Sequence, residues 1–139
     1  MTVINHRAAV LGSPIAHSLS PVLHSAGYEA AGLDGWEYER IECTAEQLPD
    51  IVGNADESYR GFSVTMPGKF ATLEFADEVT DRARAIGSAN TLVRETRDGK
   101  TFWRADNTDC EGISGALNEL VGPEKKLGHV LLIGSGGTA

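Results

Sequence analysis

Residues 8–32 read Ala8-Ala-Val-Leu-Gly-Ser-Pro-Ile-Ala-His-Ser-Leu-Ser-Pro-Val-Leu-His-Ser-Ala-Gly-Tyr-Glu-Ala-Ala-Gly32. The apolar run Ala8–Leu11 is stopped by Gly12, Ser13 and Pro14, the pattern of a short buried strand entering a loop. Ser20 is a good helix N-cap, and Pro21 suits the first turn, where its missing N–H costs nothing. Leu23, Ala26 and Ala30 fit a helix face, and Gly32 suits its C-terminal stop. A buried strand, a loop and a helix in this order form the repeating unit of an α/β sheet.

The rest of the chain extends that unit. Trp36–Ile41 alternates and predicts a second strand. Thr44-Ala45-Glu46-Gln47 reads as a capping box ahead of a short helix carrying Leu48, Ile51 and Val52. Gly61–Thr65 predicts a third strand, closed by Met66-Pro67, with a helix from Gly68 bearing Phe70 and Leu73. Thr80–Ile86 predicts another helical turn or two, ended by Gly87. Asn90–Arg94 and Thr101–Arg104 read as strands joined at Asp98-Gly99, a hairpin signal. Thr108 is placed to cap a long helix with Ile113, Ala116, Leu117 and Leu120 on one side, ended by Gly122-Pro123. Val130–Ile133 predicts a buried apolar strand leading into Gly134-Ser135-Gly136-Gly137. The expected fold is α/β, a mostly parallel sheet flanked by helices, followed by the first strand and Gly-rich loop of a Rossmann-like domain. Residues 1–106 are expected to form one domain, with 107–139 a linker helix and the incomplete start of a second.

The chain has 139 residues, a formal net charge of −8 and 41% hydrophobic residues. That composition can fill a core, and length alone fits one domain. An acidic surface disfavours nucleic acid and anionic membranes. An anionic ligand must therefore be caught by a local cation or by fixed donors. Cys43 and Cys110 are expected as free thiols of a reducing compartment. No stretch approaches the ~20 apolar residues of a membrane span, and a cytoplasmic protein is expected.

Five clusters could carry chemistry. Ser18 and Ser20 put two hydroxyls at a helix mouth, a setting for a carboxylate. Ser63-Val-Thr65-Met-Pro-Gly-Lys69 projects hydroxyls and then an amine from a strand end, and a lysine there can act in acid–base chemistry. Asn90 offers both a donor and an acceptor. In Asp106-Asn-Thr-Asp109, one acid is expected as a helix cap, leaving Asp106 free to face a cleft. Gly134 to Ala139 can cradle a pyrophosphate at the N-terminus of a following helix. His17 and His24 have no carboxylate or cysteine at ligand spacing between them, so no metal is expected. Taken singly, each cluster also has an ordinary structural explanation: a cap, a turn or a solvated charge.

In order, however, Gly12-Ser-Pro-Ile-Ala-His-Ser-Leu-Ser-Pro21, Val64-Thr-Met-Pro-Gly-Lys69, Gly87-Ser-Ala-Asn-Thr91 and Asp106-Asn-Thr-Asp-x-x-Gly112 resemble the motifs of shikimate dehydrogenases. Gly134-Ser-Gly-Gly-Thr-Ala139 resembles that family's dinucleotide loop. The resemblance implies NADPH-dependent reduction of 3-dehydroshikimate to shikimate, in aromatic amino-acid biosynthesis. It implies that Ser18 and Ser20 bind the substrate carboxylate, and that Ser63, Thr65, Asn90 and Asp106 hold the rest of the substrate. Lys69 and Asp106 are the expected catalytic pair. Gly134, Ser135, Gly136, Gly137, Thr138 and Ala139 are the expected contacts to NADP. The family often has Asn at the position of Ser63, which puts one substrate contact in question.

The ligands expected are shikimate and NADP, with no nucleic acid or membrane partner; a homodimer is left open. As the chain stops at Ala139, it is expected to be inactive alone, because hydride transfer needs the nicotinamide. The rival readings are a quinate/shikimate dehydrogenase preferring NAD and a non-catalytic ligand-binding module.

Overall fold

A computed structural model describes residues 3–139. Six strands form one sheet in the order β2-β1-β3-β5-β6-β4. The strands are β1 (His6–Gly12), β2 (Trp36–Glu42), β3 (Tyr59–Val64), β4 (Glu78–Val79), β5 (Thr91–Arg97) and β6 (Lys100–Asp106). The helices are α1 (Ser20–Ala30), α2 (Leu48–Gly53), α3 (Lys69–Phe75), α4 (Asp81–Ile86) and α5 (Asp109–Val121).

The sheet is mixed. Strand β1 pairs in parallel with β2 and β3, and β4 with β6, while β5 runs antiparallel to both β3 and β6. The antiparallel half follows from the β5–β6 hairpin, whose turn places Asp98 at φ 51° and Gly99 at φ 74°. Both left-handed positions match the Asp-Gly signal in the sequence.

Two apolar clusters hold the elements. The larger joins Leu11, Phe62, Val64, Leu92 and Trp103 of the strands to Leu48 and Val52 of α2 and Ala83 of α4. The smaller contains Val10, Ile15 and Tyr38, covered by Tyr28 of α1. Neighbouring residues of β1 enter different clusters because side chains alternate across a strand. Thr80 caps α4, accepting the Ala83 N–H at 3.3 Å, and Gly87 ends that helix in the left-handed conformation.

One expected element is absent. Val130–Ile133 is not a strand, and its side chains are 67–88% exposed. An apolar run becomes a buried strand only when a ladder partner takes its N–H and C=O groups. It has no such partner among the described residues. The apolar side of α5 is likewise uncovered, with Ile113, Leu117 and Leu120 all exposed. No helix among the described residues is long and apolar enough to cross a membrane.

Candidate active site

Four neighbouring strand ends build the site. β1 and β3 are parallel neighbours, so the loops at their C-terminal ends lie side by side. There Ser13 N–H donates to the Met66 carbonyl and Thr65 N–H to that of Leu11. The β3 loop leads into α3, whose first residue is Lys69. Next to β3, Val64 N–H donates to the Asn90 carbonyl and Asn90 N–H to that of Asp106. This brings the loop before β5 and the loop after β6 to the same edge.

Lys69 Nζ lies 2.5 Å from Asp109 Oδ2, and the two side chains are only 12% and 24% exposed. The other oxygen, Oδ1, accepts from Asn90 Nδ2 at 2.9 Å. Asn90 also donates to Thr108 Oγ1, and its Oδ1 accepts from Thr91 Oγ1 and from the Thr108 N–H. The amide is thus fully engaged in holding Asp109 and the turn before it.

The expected partner of Lys69 was Asp106. The structure instead gives that place to Asp109, three residues on. Asp106 ends β6 beside the short strand β4, where Thr80 N–H donates to the Ala105 carbonyl. This brings α4 within reach. Arg82 donates from Nε and Nη2 to the two carboxylate oxygens, Thr80 donates its hydroxyl at 2.7 Å, and Asn107 N–H adds a fourth bond. The Arg82 guanidinium, helped by the Thr80 hydroxyl and the Asn107 N–H, holds the Asp106 carboxyl well below the usual carboxylate range. Oδ1 of Asp106 accepts three of these bonds and Oδ2 one.

Asp109 was expected to act as a helix cap. Its backbone is turned by Asn107, a fully buried residue. Asn107 Oδ1 accepts the Asp109 N–H at 2.9 Å, and Asn107 Nδ2 donates to the Ser88 carbonyl at 2.9 Å. Sequence reasoning missed Asn107 as a functional residue. Its residue type gave no signal, since asparagine is usually exposed.

The expected carboxylate loop forms a second cluster. Ser18 Oγ accepts the Ser20 N–H at 3.3 Å. Ser63 Oγ accepts the hydroxyl of Tyr38 at 2.8 Å. Burial raises the pKa of the Tyr38 phenol, which stays a neutral donor. Tyr38 is also stacked on His24, with ring centroids 4.0 Å apart. Neither Tyr38 nor Arg40, which grips the Ser18 carbonyl, was picked out from sequence.

The glycine loop faces the first cluster. Thr65, Lys69, Phe70, Gly134, Gly136 and Thr138 border a cavity of about 650 Å³. Ala139 also lines it, whereas Ser135 does not. Thr138 Oγ1 accepts from Lys69 Nζ. A Cβ on Gly137 would lie 2.9 Å from Lys69 Cβ, so only glycine lets the loop backbone come this close. A glycine backbone touching an amine-bearing helix start fits an anionic cofactor such as a dinucleotide.

Residues 10–92 match the family model of the shikimate dehydrogenase substrate binding domain. The chain belongs to the shikimate dehydrogenase family. A relative from Methylobacterium radiotolerans, called shikimate dehydrogenase (NADP(+)), is 43% identical over the whole chain. The chain spans 49% of that relative, about half its length. The crystal structure of a shikimate 5-dehydrogenase from Mycobacterium fortuitum is 61% identical, with a TM-score of 0.78 over 85% of this chain and 43% of the other. A shikimate 5-dehydrogenase from Thermus thermophilus, solved in complex with shikimate, is 37% identical with a TM-score of 0.72, over 82% of this chain and 42% of the other. Shikimate dehydrogenases are therefore its relatives in both sequence and fold.

Proposed function

We propose that residues 1–106, together with the start of α5, form the substrate-binding part of an NADP-dependent shikimate dehydrogenase, acting in the cytoplasm. The observation that carries this reading is Lys69, paired with Asp109 and lining a cavity shared with the glycine loop.

The chemistry follows from that placement. The Gly134–Ala139 backbone would hold part of NADPH, which when bound would supply the hydride for the ketone of 3-dehydroshikimate. Negative charge then develops on the substrate oxygen. Lys69 Nζ is the donor for that oxygen and the source of its proton. Asp109 compensates the ammonium charge and holds Nζ in place. Asn90 and Asn107 position Asp109, through its side chain and its backbone. Ser18 and Ser20 take the substrate carboxylate, and Ser63 and Thr65 its hydroxyls. In the reverse direction Lys69 receives the hydroxyl proton.

The test is steady-state oxidation by the full-length enzyme. Shikimate with NADP should turn over faster than quinate with NAD. Equal or faster turnover of quinate with NAD would move the assignment to the quinate class. No turnover of either would remove it.

A further inference from the structure

The chain carries an excess of negative charge, yet the acid it is proposed to bind is also negative. A local cation must offset the mismatch. Lys69 is already paired with Asp109. The β1–α1 loop carrying Ser18 and Ser20 has no lysine or arginine of its own.

That charge comes from β2. Tyr38, Arg40 and Glu42 alternate along the strand and so share one face. All three side chains bond toward the Ser18–Ser20 loop or its neighbour β3. Glu42 accepts from the Ser13 hydroxyl and from the Ile15 N–H at 3.0 Å. Tyr38 donates to Ser63. Arg40 donates twice to the Ser18 carbonyl, from Nε at 2.8 Å and Nη2 at 2.6 Å. Among the described residues Arg40 has no carboxylate within 4.0 Å; Arg7, Arg82, Arg97 and Arg104 each pair with one, while Arg60, Arg84 and Arg94 do not. Its guanidinium is spent on a neutral carbonyl, and no carboxylate ion-pairs with it directly; Glu42, two residues on along the same face, is bonded to the loop instead.

We propose that Arg40 is a positioning and specificity residue for the substrate carboxylate. The inference rests on the shikimate dehydrogenase reading above. A loop that presents hydroxyls and N–H groups to an anion also presents carbonyl oxygens, which repel it. Arg40 caps the carbonyl nearest the two serines and sets the hydroxyls in a fixed register. Its net positive charge favours a carboxylate over an uncharged ligand of the same shape. Arginine suits this role because its planar fork makes two bonds and stays charged.

The test uses the full-length enzyme with shikimate and with its neutral methyl ester. Arg40→Gln should raise KM for shikimate about tenfold, the size of a lost charge-assisted contact. KM for the ester, KM for NADP and kcat should stay near the values of the unsubstituted enzyme. Arg40→Lys should recover part of the loss, since it restores charge without the fork. Added salt should raise the unsubstituted enzyme's KM for shikimate and leave that for the ester unchanged. If Arg40→Gln fails to fold, Arg40→Lys decides the matter: a KM for shikimate equal to that of the unsubstituted enzyme would overturn the role of the fork. An unchanged KM for shikimate, or equal shifts for acid and ester, would overturn the proposal. If the unsubstituted enzyme oxidises no shikimate at all, the parent reading fails first and takes this one with it.

Discussion

Asn90 Nδ2 donates to Asp109 Oδ1 at 2.9 Å, while Lys69 Nζ lies 2.5 Å from Oδ2 of the same carboxylate. The amide and the amine divide Asp109 between them. Both oxygens are occupied, so the carboxylate is fixed in rotation as well as position. The lysine it pairs with is then aimed rather than merely charged.

Asn90→Ala should therefore act on the chemical step. Without the amide, Asp109 can rotate and Lys69 loses its fixed partner. We expect kcat to fall about 10- to 100-fold, with KM for shikimate little changed. Steady-state kinetics separate the two parameters. A KM effect alone would return Asn90 to the role of direct substrate ligand.

Asp106 should matter for stability and little for catalysis. Its pKa is lower in the folded chain than in the unfolded one, because Arg82, Thr80 and the Asn107 N–H bind its ionised form. The stabilisation is present above the unfolded value of about 4 and is lost as pH falls below it. Asp106→Asn should cost about 1–3 kcal/mol near pH 7. The gap from the unsubstituted protein should narrow on acidification toward about pH 3. Urea melts at several pH values read this directly, and a pH-independent gap would contradict the account.

The strand that delivers Ser63 and Thr65 has a tight point. A Cβ on Gly61 would lie 2.7 Å from the Leu92 carbonyl oxygen across the β3–β5 ladder. Backbone on the far side cannot swing away as a side chain would. Gly61→Ala should destabilise the sheet by about 1–3 kcal/mol, seen as a lower urea midpoint. An unchanged midpoint would mean that the two strands can separate freely there.

Much of the fold was legible because it is locally punctuated. Gly12 and Pro14 stop β1, Thr80 and Gly87 bound α4, and Asp98-Gly99 turns the hairpin. These signals need no partner from elsewhere in the chain. Val130–Ile133 was misread for the opposite reason, since burial of an apolar strand depends on a neighbour that its own residues do not specify. The site shows the same divide. Lys69, Asn90 and the serines stood out from their motifs. Which acid Lys69 contacts did not, because β4 brings Arg82 to Asp106 and buried Asn107 turns the backbone of Asp109. Arg40 was hidden because its partner, the Ser18 carbonyl, belongs to a different strand-to-helix unit.

The most direct test compares kcat for shikimate oxidation in Asp109→Asn and Asp106→Asn forms of the full-length enzyme. The pairing of Lys69 with Asp109 predicts a loss of about 100-fold or more for Asp109→Asn. For Asp106→Asn it predicts a kcat close to that of the unsubstituted enzyme. The reverse order, a collapse for Asp106→Asn with Asp109→Asn nearly intact, would contradict it.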